Sequence, residues 1–287
     1  MLSLVHLKVL AAVARHGSVT EAAKQLHYSQ PSVSHHLARL EAETGVKLVQ
    51  RIGRGIRLTP EGRLLAARAA EIMGRVDAAT TELAAQVGLQ SGRVRLAANA
   101  SAAATIVPKA AAALAEKHPG LELSLVERHP VEALQMLRHG EIEIALVFRH
   151  ADTPVEEGFR FVHLGDDPIH LISRQPDDSL ADHRHSAWIG GCDACQEELE
   201  TVCRSEGFTP RVSSHSDDMV VVQALVAAGA GVAILPGLGL QAHRRPDVHA
   251  TELKGFHRQI HAATYGDPPD PPGVAAVLAA LTRTFSV

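Results

Sequence analysis

The sequence predicts an α+β multidomain protein: an N-terminal winged helix-turn-helix, a long linker helix and a C-terminal α/β domain of two lobes. Three observations carry this expectation. Short helical periodicities in the first 45 residues lead into a glycine-punctuated pair of strand-like runs, one apolar seam at heptad spacing follows, and from residue 93 onward strand-like and helix-like runs alternate in two cycles. The expected boundaries are 1–60 for the winged module, 59–88 for the linker helix and 93–287 for the α/β domain. Its first lobe combines about 93–163 with 258–287, and its second covers about 164–257.

Leu4, Leu7, Val9, Leu10 and Val13 recur at helical spacing, and Gly17 stops that helix before Ser18 caps a second one over residues 19–26. The pattern breaks at His27 and Tyr28, after which Ser29 caps a third helix running to about Thr44, with Gly45 as its stop. Residues 46–51 and 55–58, grouped around Gly53 and Gly55, predict a two-stranded wing. Thr59-Pro60-Glu61 supplies an N-cap, a first-turn proline and an acidic first turn. The helix that starts there and continues to about Gly88 is roughly 45 Å long at 1.5 Å per residue. Its Leu65, Ala69, Ile72, Val76, Ala79, Leu83 and Gln86 alternate four and three apart, the seam of a dimerisation arm.

In the α/β domain, residues 94–98, 106–116, 121–126, 131–139 and 142–148 read as βαβαβ. A second cycle follows: strands over 169–173 and 188–190, a helix over 196–205, a strand over 211–213, a helix over 218–228 and a strand over 232–235. A strand over 258–265 returns to the first lobe, and a helix over 274–285 packs there.

Length and composition bound the function. A chain of 287 residues is ample for two or three domains with buried cores. Three cysteines and no basic start followed by an apolar run predict a reduced cytoplasmic protein. The apolar stretch 219–235 is broken by Gln223, Gly229 and Gly231, so no membrane partner is expected. The net charge of −4 conceals an asymmetry: residues 1–60 hold eight Lys and Arg against three Glu, whereas the remainder holds 20 against 29. The basic end is the nucleic-acid candidate.

Ala23, Leu26, Val33 and Leu37 put a small residue where two helices cross and apolar residues where they pack. The third helix then turns Gln30, Ser32, Ser34, His35 and Arg39 outward, a donor set suited to base edges and phosphates in a major groove. Arg54 and Arg57 suit the wing. The alternative from spacing alone is a small helical core under a polar surface, and the wider pattern decides against it.

The stretch Gly17-Ser18-Val19-Thr20-Glu21-Ala22-Ala23-Lys24-Gln25-Leu26, with Ser29-Gln30-Pro31-Ser32-Val33-Ser34, Leu40-Glu41 and Leu58-Thr59-Pro60-Glu61-Gly62, closely resembles the LysR-type transcriptional regulators. The resemblance spans the chain and returns in Val226-Ala227-Ala228-Gly229-Ala230-Gly231-Val232-Ala233-Ile234-Leu235-Pro236. It implies a DNA-binding head, a dimerising linker helix and an effector domain resembling periplasmic binding proteins. The implied function is sequence-specific transcription regulation modulated by a small molecule between the lobes. The candidate DNA contacts are Ser29, Gln30, Pro31, Ser32, Ser34, His35, Arg39, Arg54 and Arg57, and the dimerisation set is Leu65, Ala69, Ile72, Val76, Ala79 and Leu83. His35 occupies a place often held by arginine, and Val49 one where phenylalanine is common. The implied partners are double-stranded DNA, a small-molecule effector and further copies of the chain as a dimer or tetramer, with RNA polymerase as an additional candidate. The setting is the bacterial cytoplasm at the nucleoid, with no cofactor beyond the effector.

Ligands of open α/β sheets sit beyond the carboxyl ends of strands, beside helix N-termini. Asn99, Ala100, Ser101 and Thr105 occupy one such junction, and Gly190, Gly191, Cys192, Asp217, Asp218 and Met219 occupy comparable strand ends in the second lobe. Phe148 and Arg149 stand at the hinge. The resemblance places these residues around a carboxylate-bearing effector, with His129 at the next helix start where a small hydroxyl residue is usual. Ordinary caps and turns are the plainer reading of any one of them.

Cys192-x2-Cys195 and Cys203 raise a redox reading, as in a peroxide-sensing branch of the family, and a zinc reading with His183 or His185. A single C-x2-C lacks the second pair of ligands, so the expectation is thiols packing a helix and no metal site. Eighteen histidines are scattered, without H-E-x-x-H, G-x-S-x-G or a P-loop, so no enzyme is expected. The alternative from another class is a cytosolic small-molecule binding protein or enzyme carrying an accessory helix-turn-helix.

Overall fold

The computed structural model describes residues 2–52, 55–86, 92–149, 153 and 157–285. It divides into two compact units, Met1–Gly92 with Leu134–Glu143, and Arg93–Ala133 with Ile144–Val287.

The first unit opens with α1 (Leu4–His16), α2 (Val19–Leu26) and α3 (Gln30–Thr44). Gly17 closes α1 in the left-handed region at φ 60°. The hydroxyls of Ser18 and Ser29 accept the N–H groups of Glu21 and Ser32, so each of the next two helices starts on a side-chain cap. Leu7, Leu10, Val13, Val33, Leu37 and Leu40 are buried, and Ala23 is small where Val33 packs. β1 (Val49–Ile52) and β2 (Gly55–Leu58) pair antiparallel, Val49 opposite Leu58 and Ile52 opposite Gly55. The first wing strand thus begins at Val49 rather than residue 46. Before it, Glu41 accepts the N–H groups of Leu48 and Val49 at 2.9 and 3.2 Å, which ties the chain to α3.

α4 (Pro60–Gln86) starts on Thr59, whose hydroxyl donates to the Lys47 carbonyl and accepts the Gly62 N–H. A Cβ at Gly62 would lie 2.0 Å from the Leu48 carbonyl oxygen, so the helix can seat there only on a glycine. Ala66 and Ala69 are buried in the core of this unit, with Leu65 packed against it. This corrects the proposed seam at its start: the first three turns of α4 serve the chain's own core, while Ile72, Val76 and Ala79 are exposed. The side chain of Leu83 lies outside the described residues.

The second unit holds β3 (Gly92–Ala98), α5 (Ala100–Lys117), β4 (Leu121–Glu127), the start of α6 (Pro130–Arg138), β5 (Ile144–Arg149), β6 (Phe159–Ser173) and β7 (Ala187–Gly190). It continues with α7 (Asp193–Ser205), β8 (Arg211–His215), α8 (Met219–Ala227), β9 (Ala233–Pro236), α9 (Gly237–Ala242), β10 (His249–Tyr265) and α10 (Pro272–Phe285). The main sheet has the order β4-β3-β5-β10-β6-β9, and β7 and β8 form a separate parallel pair. β3 and β5 run parallel, whereas β10 is antiparallel to both β5 and β6.

β6 and β10, of 15 and 17 residues, each begin about ten residues before the strands expected at 169 and 258. Both run through the two lobes. Asp166-Asp167-Pro168 in the middle of β6 and the bulge around Lys254-Gly255 in β10 interrupt the apolar alternation that marks a strand locally; the cross-strand pairing on either side of them, such as Asp167 opposite Arg258, supplies what propensity does not. One core packs α5 and α10 on β3 and β5 through Leu96, Ile106, Ile144 and Leu281. Two further clusters, around Trp188 with Leu199 and around Ile172 with Val226, fill the second lobe.

Candidate functional site

Two surfaces carry the chemistry, one in each unit. On α3, Gln30, Pro31, Ser34, His35 and Arg39 are exposed and Ser32 is half-buried behind the Ser29 cap. The first turn of α3 contains no acidic residue, so its N-terminal dipole is left positive. Arg57 is exposed on β2, and Arg54 lies outside the described residues. Behind this face, His36 stacks near His6 and Tyr28 at 5.3 and 5.6 Å between ring centroids. Burial, with His6 and His35 close by, holds the His36 imidazole below its ordinary range. The half-buried His36 thus lies next to His35 on the exposed side of α3.

In the second unit a cavity of about 300 Å³ opens between the strand ends. Asn99, Ala100 and Ser101 at the start of α5, and His129, Phe148, Gly190, Gly191, Asp217 and Met219, all line it. Asn99 donates to the Ser101 hydroxyl at 2.8 Å, and its buried carbonyl oxygen has no hydrogen-bond partner among the described residues.

Four of the expected effector residues stand elsewhere. Thr105 is buried one turn down α5 and donates to the Ser101 carbonyl, because its position four residues along turns it back onto its own helix. Arg149 lies 4.3 Å over the Phe161 ring and donates to the Thr153 carbonyl. Asp218 caps α8 through the N–H groups of Val220 and Val221. Cys192 is the N-cap residue of α7, beside the cavity lining.

Arg258, Glu198 and Cys195 also line the cavity and were not foreseen. Arg258 comes from β10 and pairs with the buried Asp167 at 3.1 Å, with its guanidinium 4.2 Å over the Phe148 ring. Its buried Nε has no hydrogen-bond partner among the described residues. Burial pushes the Glu198 carboxyl up to about 7, only partly opposed by Arg258.

α7 begins three residues before the expected start at 196, which places Cys195 in its first turn. The sulfurs of Cys192 and Cys195 stand 3.0 Å apart. Their hydrogen bond brings the Cys192 thiol down to about 6 against the effect of burial, while the same bond and burial push Cys195 up. Cys203 is buried in the core, where burial pushes its thiol up to about 12. His183 pairs with Asp178 at 3.0 Å, and among the described residues it belongs to no metal-ligand group with a cysteine. The signal for Cys195 was present in the sequence as its C-x2-C spacing from Cys192; that for Arg258 was not, because its partner lies 91 residues away.

Residues 4–63 match the family described as bacterial regulatory helix-turn-helix protein, lysR family, and residues 88–286 match the LysR substrate binding domain. The uncharacterized HTH-type transcriptional regulator YusT of Bacillus subtilis (strain 168) is 31% identical over 239 residues, which are 83% of this chain and 80% of that protein. The HTH-type transcriptional regulator TfdS of Cupriavidus pinatubonensis is 30% identical over 260 residues, 86% of each. Full-length CbnR, solved with its target DNA, has the same fold, with a TM-score of 0.68 at 24% identity over 99% of this chain and 100% of that one.

Proposed function

The chain belongs to the LysR family of bacterial helix-turn-helix regulators and is a transcriptional regulator; from that premise we propose that α3 reads base edges while a small anionic effector in the cavity sets how the protein holds its DNA. Gln30, Ser34, His35 and Arg39 supply the base and phosphate contacts, with Arg57 and Arg54 on the flanking backbone. Copies of the chain join through the exposed turn of α4 around Ile72 and Val76, as a dimer or tetramer that spans two half-sites and bends the DNA between them. The protein works in the cytoplasm by binding, not by chemistry. RNA polymerase is a further candidate partner.

The observation that carries the effector half is Arg258. A fixed cation sits in the cavity wall, its buried Nε without a hydrogen-bond partner among the described residues, and the cavity also takes in the N-terminus of α5, where Asn99 makes no side-chain cap and the first turn has no acid. Both favour a carboxylate or similar anion. Phe148, Met219 and Val222 offer an apolar wall for the rest of a small metabolite.

Two measurements test the reading. Fluorescence anisotropy on the gene's own upstream duplex should show a preference over shuffled DNA and an affinity falling steeply with salt; no preference at any salt would return the chain to the class of cytosolic small-molecule binders. A thermal-shift screen of small carboxylates should then find ligands that raise the melting temperature and lose that effect in Ser101→Ala.

A further inference from the structure

We infer that His129, Cys192, Cys195 and Asp217 form a site for a zinc-like divalent cation at the rim of the effector cavity. One donor atom from each of His129, Cys192 and Asp217 lies within 4.8 Å of the others, the only such group of three among the described residues. Each comes from a different segment: His129 precedes Pro130 at the start of α6, Cys192 is the N-cap of α7, and Asp217 precedes the Asp218 cap of α8. Cys195 stands beside this group of three, its sulfur 3.0 Å from that of Cys192, and becomes the fourth donor once its side chain turns toward the other two.

The distances suit a tetrahedral ion. Zinc bonds of about 2.3 Å to sulfur and 2.0–2.2 Å to nitrogen and oxygen put neighbouring donors about 3.3–3.8 Å apart. His129 Nε2 and Asp217 Oδ2 are already 3.5 Å apart, and the two sulfurs need to open by less than about 1 Å from their hydrogen-bonded separation. Gly191 keeps the centre clear, because a Cβ there would stand 3.0 Å from Cys195 Cβ and 3.3 Å from Asp217 Oδ1. His129 and Asp217 are about half exposed, at 48% and 52%, which leaves an entry path. Two sulfurs with one imidazole and one carboxylate select a borderline-soft ion over magnesium or calcium, which take oxygen ligands.

His129, Asp217 and Cys195 line the same cavity as Arg258, so a bound cation would stand alongside the anion-binding wall. His129 belongs to the first lobe and the other three donors to the second, so a bound ion would join the lobes at the cavity rim. Binding proceeds by coordination, with the thiol protons released to solvent and no change of oxidation state.

The test is a titration of the reduced full-length chain, kept in a phosphine reductant, with Co²⁺ followed by Zn²⁺. The expected result is one Co²⁺ per chain with a near-ultraviolet thiolate-to-cobalt band that one equivalent of Zn²⁺ abolishes. Cys192→Ser should lose the band, and His129→Gln and Asp217→Asn should weaken binding by more than the roughly 10- to 100-fold that removing a ligand's supporting partner costs. His163→Gln, at an exposed pair elsewhere, should bind as the parent does. The half-exposed His129 and Asp217 variants keep the test decisive if the cysteine variant fails to fold. Absence of the band overturns the site, as does a band unchanged in His129→Gln, or a reduced chain that binds no Co²⁺ and merely oxidises to a Cys192–Cys195 disulfide.

Discussion

Arg258 and Asp167 face each other in the register of β10 and β6, and their buried side chains pair at 3.1 Å with 3% and 0% exposure. The other Asp167 oxygen accepts the Leu238 N–H at 2.8 Å, so the pair also fixes the start of α9. The two strands that run through both lobes are thus pinned at the cavity wall by one ion pair. Removing one partner of a buried pair leaves a desolvated charge and costs about 3 to 5 kcal/mol. Asp167→Asn should fall toward the lower end, since Glu198 can ionise to face Arg258. Joint replacement, Asp167→Leu with Arg258→Met, should cost less than the single change. Urea denaturation measures both, and a single-variant loss below about 1 kcal/mol would contradict the assignment.

Glu41 is the acid-sensitive joint of the first unit. Burial raises its carboxyl, but the Lys47 ammonium and the amides of Leu48 and Val49 outweigh burial and hold it below the usual carboxylate range. A depressed folded value means that the carboxylate stabilises the fold above the unfolded value, and that this contribution fades as pH falls through the folded one. Glu41→Gln should therefore be less stable by about 1 to 3 kcal/mol at neutral pH. The gap to the parent should close in acid. Thermal melts across that range check it, and a gap independent of pH would refute the role.

Ile72 is 37% exposed on α4 and lies past the turns that serve the core. Ile72→Glu should abolish dimerisation and operator binding together, because a charge at an apolar helix seam is not desolvated without penalty. Sedimentation velocity and anisotropy on one preparation decide it: a dimer that binds DNA as the parent does would exclude this seam.

Gln30 is exposed in the first turn of α3. Gln30→Ala should relax base preference at one operator position by about 1 to 3 kcal/mol and leave the salt slope unchanged. Selection from a randomised duplex pool gives the binding-site logo, and an unaltered logo would remove Gln30 from the reading set.

What the sequence determined by itself was local. Serine caps at 18 and 29, glycine stops at 17 and 45, the small Ala23 against Val33 and the Thr59-Pro60 helix start act over one to three turns, so their meaning can be read from neighbouring residues. Asn99 and Ser101 were legible for the same reason, as a strand end meeting a helix start. Tertiary structure alone decided the rest. The early half of β6 became strand because it pairs with the later half of β10, and the early half of β10 because it pairs with the later half of β6; Leu65 and Ala69 were drawn into the core because α1 packs on α4, and Arg258 reached the cavity because Asp167 lies opposite it. His129, Cys192 and Asp217 lie far apart along the chain, and only the convergence of three helix starts brings their donor atoms together. Periodicity and capping are short-range effects that a sequence displays directly, whereas pairing register and charge burial are set by residues tens of positions away and appear only once the chain has closed on itself.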